Sequence, residues 1–243
     1  MSFYSKLDTL HANLRKNRWL QYFSIFCRFA LAAGFIPSGL VKIFDERFTN
    51  LSVNHPMGHY LEALYYTEYY YTFIGILQVT AAILLLIPRT ATLGALIYFP
   101  IIINITILSL AVRFVGSHIS APLMVLANLF LILWDYHKIK YILPFNEPPE
   151  HKILREKNER IKKFPLKFAI GSLATLIVLI FILKNMYNIE PYNTLMDCER
   201  QAKKSKNPKA VDDFCNCIHT EGKPLNKCLK IYEKTLENST RKL

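Results

Sequence analysis

The sequence predicts an all-α fold: a polytopic membrane helical bundle with a four-helix core and a fifth span, followed by a small disulfide-stapled helical extracytoplasmic module. Residues 69–88, 90–112 and 114–134 contain no Asp, Glu, Lys or Arg, and each stretch is near the roughly 20 residues that a helix needs to cross a bilayer. Four cysteines follow in a polar tail. The chain is 52% hydrophobic and has a net charge of +12. Its apolar and charged residues are thus in separate segments, which excludes a single soluble core.

Five hydrophobic runs predict five spans. The second and third are separated only by Pro88, Arg89 and Thr90, so these two helices must be antiparallel neighbours. The predicted spans cover about residues 20–44, 69–88, 91–112, 118–136 and 165–184. The predicted segments are an N-terminal segment 1–19, a four-span core 20–137, a basic linker 138–164, a fifth transmembrane helix 165–185 and a helical cysteine module 186–243.

The distribution of basic residues predicts the orientation. Residues 1–19 carry four bases against one acid, and residues 138–167 carry nine against four. The loops on the opposite side are poor in Lys and Arg, so the positive-inside rule places the N-terminus, the Arg89 hairpin and the linker in the cytoplasm. Five spans then place the C-terminus outside. The basic linker is expected to contact anionic lipid heads, and no nucleic-acid partner is predicted.

The tail cysteines, placed outside by this orientation, predict a disulfide framework because that space is oxidising. They are Cys198, Cys215, Cys217 and Cys228. A bond between Cys215 and Cys217 would close a tight ring, so Cys198 is expected to pair with one of these two and Cys228 with the other. A static staple is the simpler interpretation. The alternative is a redox-active Cys215/Cys217 pair that exchanges electrons with a partner.

Polar residues within the spans are candidate functional groups because they are costly in hydrocarbon. Arg28 in the first span and Asp135 at the end of the fourth are predicted to form an ion pair that ties these spans together. Gln78, Asn104 and Asn128 lie at similar depths on three spans. They are expected either to hydrogen-bond one another or to line a polar cavity for a quinone or lipid head group.

A polar cluster is predicted in the outer loops. Its members are Lys42, His55, His59, Glu62, Glu68, Arg113 and His118. The spacing of His55, His59 and Glu62 would place metal ligands on one helical face, but Pro56 and Gly58 interrupt the pattern. No metal site is predicted, and the histidines are interpreted as interfacial side chains packed among tyrosines.

Several segments resemble the DoxX-like family of four-span membrane proteins. The runs RFALAAGFIPSGLVKIF, HPMG, FIGILQVTAAILLLIPRTATLGAL and LANLFLILWDYH carry the resemblance, which covers about residues 24–137. It implies a bacterial or archaeal inner-membrane protein, linked in some lineages to quinone-coupled or thiol redox systems as an accessory subunit. Arg28, Lys42, Asn128 and Asp135 occupy matching positions. The fifth span and the cysteine module depart from the family pattern.

The leading functional hypothesis is an accessory subunit in the inner membrane, with a periplasmic module that docks a membrane or periplasmic protein and a core that holds a quinone or lipid. No catalytic residue is assigned. The first alternative is a quinone-linked thiol oxidoreductase that uses Cys215/Cys217, although Cys27 is the only cysteine in the bundle. The second is a small-solute or lipid transporter, which the absence of an inverted repeat disfavours.

Overall fold

The computed structural model describes residues 3–139, 161–205 and 207–240, and within these ranges the secondary structure is helical, without a β-strand. The bundle contains α1 (Phe3–Arg15), α2 (Arg18–Ile43), α3 (Pro56–Tyr65), α4 (Tyr69–Leu86), α5 (Ala91–Ala111), α6 (Ser120–Trp134), α7 (Tyr136–Ile139) and α8 (Leu166–Asn185). The tail contains α9 (Leu195–Glu199), a 3₁₀ helix (Arg200–Lys204), α10 (Pro208–His219) and α11 (Leu225–Thr240). Most of the predicted basic linker lies outside the described residues.

Four of the five predicted spans form helices long and apolar enough to cross a membrane, namely α2, α4, α5 and α8. The fourth predicted span forms the shorter apolar helix α6, with 15 residues. At 1.5 Å per residue this helix is about 22 Å long. It starts late because the chain after α5 first turns back on itself, and the backbone N–H groups of Ser117 and His118 both donate to the carbonyl of Phe114.

Local sequence explains where the helices begin. Asn17 caps α2, since its side-chain oxygen accepts from the N–H groups of Trp19 at 2.9 Å and Leu20 at 3.3 Å. Asn207 caps α10, with Pro208 at the first helical position, as the residue preferences at helix starts favour. These caps satisfy N–H groups that have no partner within their own helix.

Helices α2 and α4 approach each other closely at a pair of glycines. A Cβ atom on Gly39 would lie 2.7 Å from the carbonyl oxygen of Gly75, and one on Gly75 would lie 2.7 Å from that of Gly39. Two glycines facing each other therefore allow backbone contact, a common device in membrane helix packing. The core continues to α5 through Tyr98, whose ring stacks on Phe35 and whose hydroxyl donates to the carbonyl of Leu31 at 3.2 Å.

The N-terminal segment and the cysteine module lie at opposite ends of the bundle. Helix α1 packs where α6 ends, with His11 Nε2 3.0 Å from the carbonyl oxygen of Trp134 and Arg15 Nη1 2.7 Å from His137 Nδ1. The cysteine module instead contacts the end where α5 stops. We call these the α1 end and the module end.

Helix α8 packs loosely on the core, and Leu183 is its only buried residue. Its Phe168 ring contacts Phe23 and Phe130, with centroids 5.8 Å apart in each case. A groove of about 420 Å³ remains between α8 and α2, lined largely by aromatic residues that include Trp19 and Phe26. The fifth span is thus attached to the bundle mainly near its two ends.

Candidate functional site at the junction of bundle and module

The four tail cysteines form two disulfides, Cys198–Cys215 and Cys217–Cys228. This confirms the predicted disulfide framework and selects one of the two pairings that the sequence left open. All four residues are at most 2% exposed and pack with Phe214 and Ile218 in the module core. Cys215 and Cys217 therefore have different partners, and a thiolate could not reach either bond without opening the module.

Arg113 connects the module to the end of α5. Its Nη1 donates to the carbonyl of Ile189 at 2.8 Å, and its guanidinium lies 4.6 Å from the centroid of the Tyr187 ring. The Tyr187 hydroxyl in turn donates to the carbonyl of Leu110 at 2.7 Å. A charge-assisted hydrogen bond, a cation–π contact and a neutral hydrogen bond thus fix the chain as it leaves α8.

A second set of contacts joins the loop before α3 to the end of α10. The Asn54 side chain donates from Nδ2 to the carbonyl of His219 at 2.8 Å. Gly222 turns the chain beside it with φ +62°, and a Cβ there would lie 2.8 Å from Asn54 Oδ1. Only glycine meets both the conformational and the steric requirement at this position. His219 Nε2 lies 2.7 Å from the carbonyl oxygen of Pro191.

His55 is the buried centre of this junction. Its Nδ1 accepts from the N–H of Met57 at 3.1 Å and so caps α3. The ring is fully buried, and Nε2 has no hydrogen-bond partner. Its centroid lies 6.0 Å from the rings of both His219 and Phe114. Burial, followed by the neighbouring His219, lowers the pKa of His55 from 6.5 to about 4, and the backbone of Tyr192 opposes part of this shift. The ring is thus held neutral at the contact between bundle and module.

His118 and Glu190 complete the junction. His118 is 7% exposed, and its Nδ1 lies 2.9 Å from the carbonyl oxygen of Val115. Burial raises the pKa of Glu190, while the charges of His118 and Arg113 oppose that rise. Sequence reasoning missed Glu190. The only signal was an acidic residue shortly after the fifth span, on the same side as the predicted outer cluster.

Lys42 lies deeper, at the module end of α2, and is 5% exposed. Its ammonium donates to the carbonyl and the hydroxyl oxygen of Ser38 at 2.8 and 3.0 Å and lies 4.3 Å from the Phe48 ring centroid. The Ser38 hydroxyl donates onward to Gln78 Oε1 at 3.4 Å. Among the described residues no carboxylate forms an ion pair with Lys42, so its charge is held by a carbonyl, a hydroxyl and an aromatic ring.

The predicted outer cluster is therefore divided by the fold. His55, His118 and Arg113 lie under the module, and Lys42 is inside the bundle. His59 and Glu68 are exposed, and Glu62 forms an ion pair with Arg47 at 3.2 Å. Within the parts of the chain that the structure describes, no group of three or more His, Cys, Asp or Glu side chains is arranged to hold a metal ion.

The predicted ion pair between Arg28 and Asp135 is wrong. Asp135 Oδ2 instead accepts from Thr92 Oγ1 at 2.5 Å and from Lys138 Nζ at 3.0 Å. Lys138 lies one turn further along the chain and so reaches the carboxylate more directly than Arg28 does. The Arg28 Nε is buried without a hydrogen-bond partner.

The three span amides do not surround a common cavity. Gln78 and Asn128 are buried: Gln78 accepts from Ser38, and Asn128 Nδ2 donates to the carbonyl of Ala95 at 3.0 Å. Asn104 is exposed on the outer side of α5. The predicted meeting of the three amides is wrong, because α5 turns Asn104 away from the core. These residues therefore do not fit a quinone held between them.

Fold and site together define a multi-pass helical membrane protein that carries a disulfide-bonded module at one end of its bundle. The model of the DoxX-like family matches residues 27–132. The "Uncharacterized protein YwoB" of Bacillus subtilis (strain 168) is 34% identical over 128 residues, which are 50% of this chain and 81% of that relative. The chain belongs to the DoxX-like family. No solved structure matches it. Helix α8 and the cysteine module lie outside the family match.

Proposed function

We propose that this chain is a non-catalytic accessory subunit of the bacterial inner membrane, whose periplasmic module docks a membrane or periplasmic partner protein. The observation that carries the proposal is the junction. Arg113 and Asn54 of the family core bond the backbone of the added tail at 2.8 Å each. A docking surface held in a fixed position loses less conformational freedom on binding than a tethered one.

The proposed orientation has two independent supports. The charge distribution favours a cytoplasmic α1 end. The two disulfides at the other end are of a kind that persists in an oxidising compartment. Since α1 and the module lie at opposite ends of the bundle, one orientation satisfies both.

The geometry favours docking over thiol chemistry. Disulfide exchange requires a thiolate to attack an accessible sulfur. Cys215 and Cys217 are 0% and 2% exposed, and each is bonded to a distant cysteine. Both disulfides thus serve to hold a small helical core together, as expected for a module with few buried residues.

The test is affinity capture of the full chain from native bacterial membranes, followed by quantitative mass spectrometry. Arg113→Ala removes the contacts to Ile189 and Tyr187 and should lower the yield of the bound partner at least about fivefold. Arg89→Ala is the matched control, because Arg89 is exposed on the hairpin between α4 and α5, at the end of the bundle away from the module. It should leave the yield unchanged.

Two results would count against the proposal. One is recovery of the wild-type chain without any stoichiometric second protein. The other is equal recovery of a partner with wild type and Arg113→Ala, provided that Arg113→Ala retains both disulfides by intact mass and the same melting temperature for its bundle.

A further inference from the structure

Helix α5 presents a continuous exposed face. Its exposed residues recur at intervals of three or four, the spacing of a single side of a helix. We call this face the α5 stripe; it comprises Leu93, Leu96, Pro100, Asn104 and Ile107. The opposite side of α5, including Tyr98 and Ile102, is buried in the bundle core. The stripe therefore faces away from the core, and in a membrane it would face hydrocarbon.

Asn104 is the unusual member of the stripe. It lies seven residues before the end of α5 at Ala111, or about 10 Å at 1.5 Å per residue, well inside a hydrocarbon core roughly 30 Å thick. Its side chain is too short to reach water as Lys or Arg can. None of the hydrogen bonds formed within the described parts of the chain satisfies its amide, and an unsatisfied amide in an apolar medium costs several kcal/mol.

Pro100 adds a second polar group to the same face. It lies inside α5 and has no N–H to donate, so the carbonyl of Leu96 loses its usual helical partner. Polar backbone of this kind is tolerated within membranes where a neighbouring helix covers it. The stripe thus combines two features that favour contact with another helix over contact with lipid.

We propose that the α5 stripe is the interface between two copies of this chain, with the Asn104 amides paired across it. Copies inserted in the same orientation are related by a two-fold axis along the membrane normal, which places Asn104 at equal depth in both. Each amide has a donor and an acceptor and can satisfy its counterpart reciprocally. By symmetry, a second copy supplies a matching amide at the same depth. An unrelated helix would need a polar side chain of its own at that depth.

Cysteine cross-linking in native membranes tests the proposed face. Ile107 is 63% exposed and lies one turn from Asn104, whereas Phe181 is 67% exposed on α8. The native cysteines are buried or disulfide-bonded, so each new thiol acts alone. Oxidation should convert Ile107→Cys into a dimer at least about fivefold more efficiently than Phe181→Cys. Equal yields, or an Ile107→Cys adduct with a different protein, would overturn the assignment.

Substitution of Asn104 in the Ile107→Cys background tests the amide itself. Interhelical hydrogen bonds in membranes contribute about 0.6 to 1.7 kcal/mol each, so Asn104→Leu should reduce cross-linking about threefold to eighteenfold. Asn104→Gln should retain it, because it keeps both hydrogen-bonding groups. Unchanged cross-linking in Asn104→Leu would contradict the pairing. Counting photobleaching steps of the unsubstituted chain in nanodiscs should give two copies, and a single step would overturn the dimer.

Discussion

At the scale of single residues, the buried ring of His55 makes the stability of the junction depend on pH. The ring is fully buried between bundle and module, uses Nδ1 to cap α3 and leaves Nε2 unpaired. A buried polar nitrogen without a partner is uncommon in native proteins. A positive charge on this ring would lie in a buried site beside His219. The neutral form of His55 is therefore favoured in the folded junction.

This arrangement predicts a pH dependence. The pKa of His55 falls from 6.5 in the unfolded chain to about 4 in the folded protein, so the folded state binds fewer protons between these values. The stabilising contribution is complete above about pH 6.5 and is lost as pH falls toward 4. A shift of this size corresponds to at most about 3 kcal/mol. Thermal unfolding measured from pH 7.5 to 4.5 should show the loss.

His55→Asn is the matched variant, because Asn also caps helices through its side-chain oxygen but does not titrate. The difference in melting temperature between wild type and His55→Asn should change with pH, and wild type should lose more on acidification. His137 has its pKa lowered to about 4 as well, and it contributes equally to both proteins. Parallel curves for the two proteins would show that His55 does not govern the junction.

At the scale of elements, the two glycine environments make opposite predictions. Gly75→Ala would force a Cβ to within 2.7 Å of the Gly39 carbonyl oxygen and 2.8 Å of the Lys42 Cβ. Separating α2 from α4 to relieve this contact should cost about 1–3 kcal/mol. A Cβ on Gly171 of α8 would have no neighbour within 4 Å among the residues that the structure describes. Gly171→Ala should therefore stabilise α8 by about 0.5–1 kcal/mol, since alanine favours helix interiors.

Melting temperatures of the purified proteins in one detergent would check both glycine predictions, with a decrease for Gly75→Ala and none for Gly171→Ala. A decrease of the same size in both variants would indicate a general effect of the added methyl group. It would not be explained by the contact between α2 and α4.

The elements also show how far sequence reasoning extends. Hydropathy located the spans because uncharged stretches of about 20 residues have few alternatives, and cysteine spacing reduced the disulfide pairings to two. The sequence did not indicate which face of each span packs against the core. Helices α5 and α6 are apolar on nearly every side, so no amphipathic pattern indicated that Asn104 of α5 faces outward while Asn128 of α6 faces inward.

Contacts distant in sequence were beyond local patterns. Asn54 and His219 are 165 positions apart, and nothing near either residue indicates the other. The partner of Asp135 was missed for the opposite reason. The prediction chose a distant arginine over Lys138, which lies three residues away and forms the ion pair.

At the scale of the whole molecule, this chain combines a DoxX-like core with an added span and module. The core supplies the two side-chain donors of the junction, Asn54 before α3 and Arg113 after α5. The added part supplies backbone carbonyls at Ile189 and His219 as acceptors. A change in the module's sequence can therefore alter its outer surface while these backbone contacts persist, which suits a surface that recognises a partner.

Native mass spectrometry of complexes released directly from membranes tests the central claim most directly. Each copy of the chain contributes 28.2 kDa. We predict a complex whose mass equals that of one or more copies of the chain plus a second protein, and the loss of that protein in Arg113→Ala but not in Arg89→Ala. Masses that correspond only to whole multiples of the chain, with or without bound lipid, would contradict the accessory role.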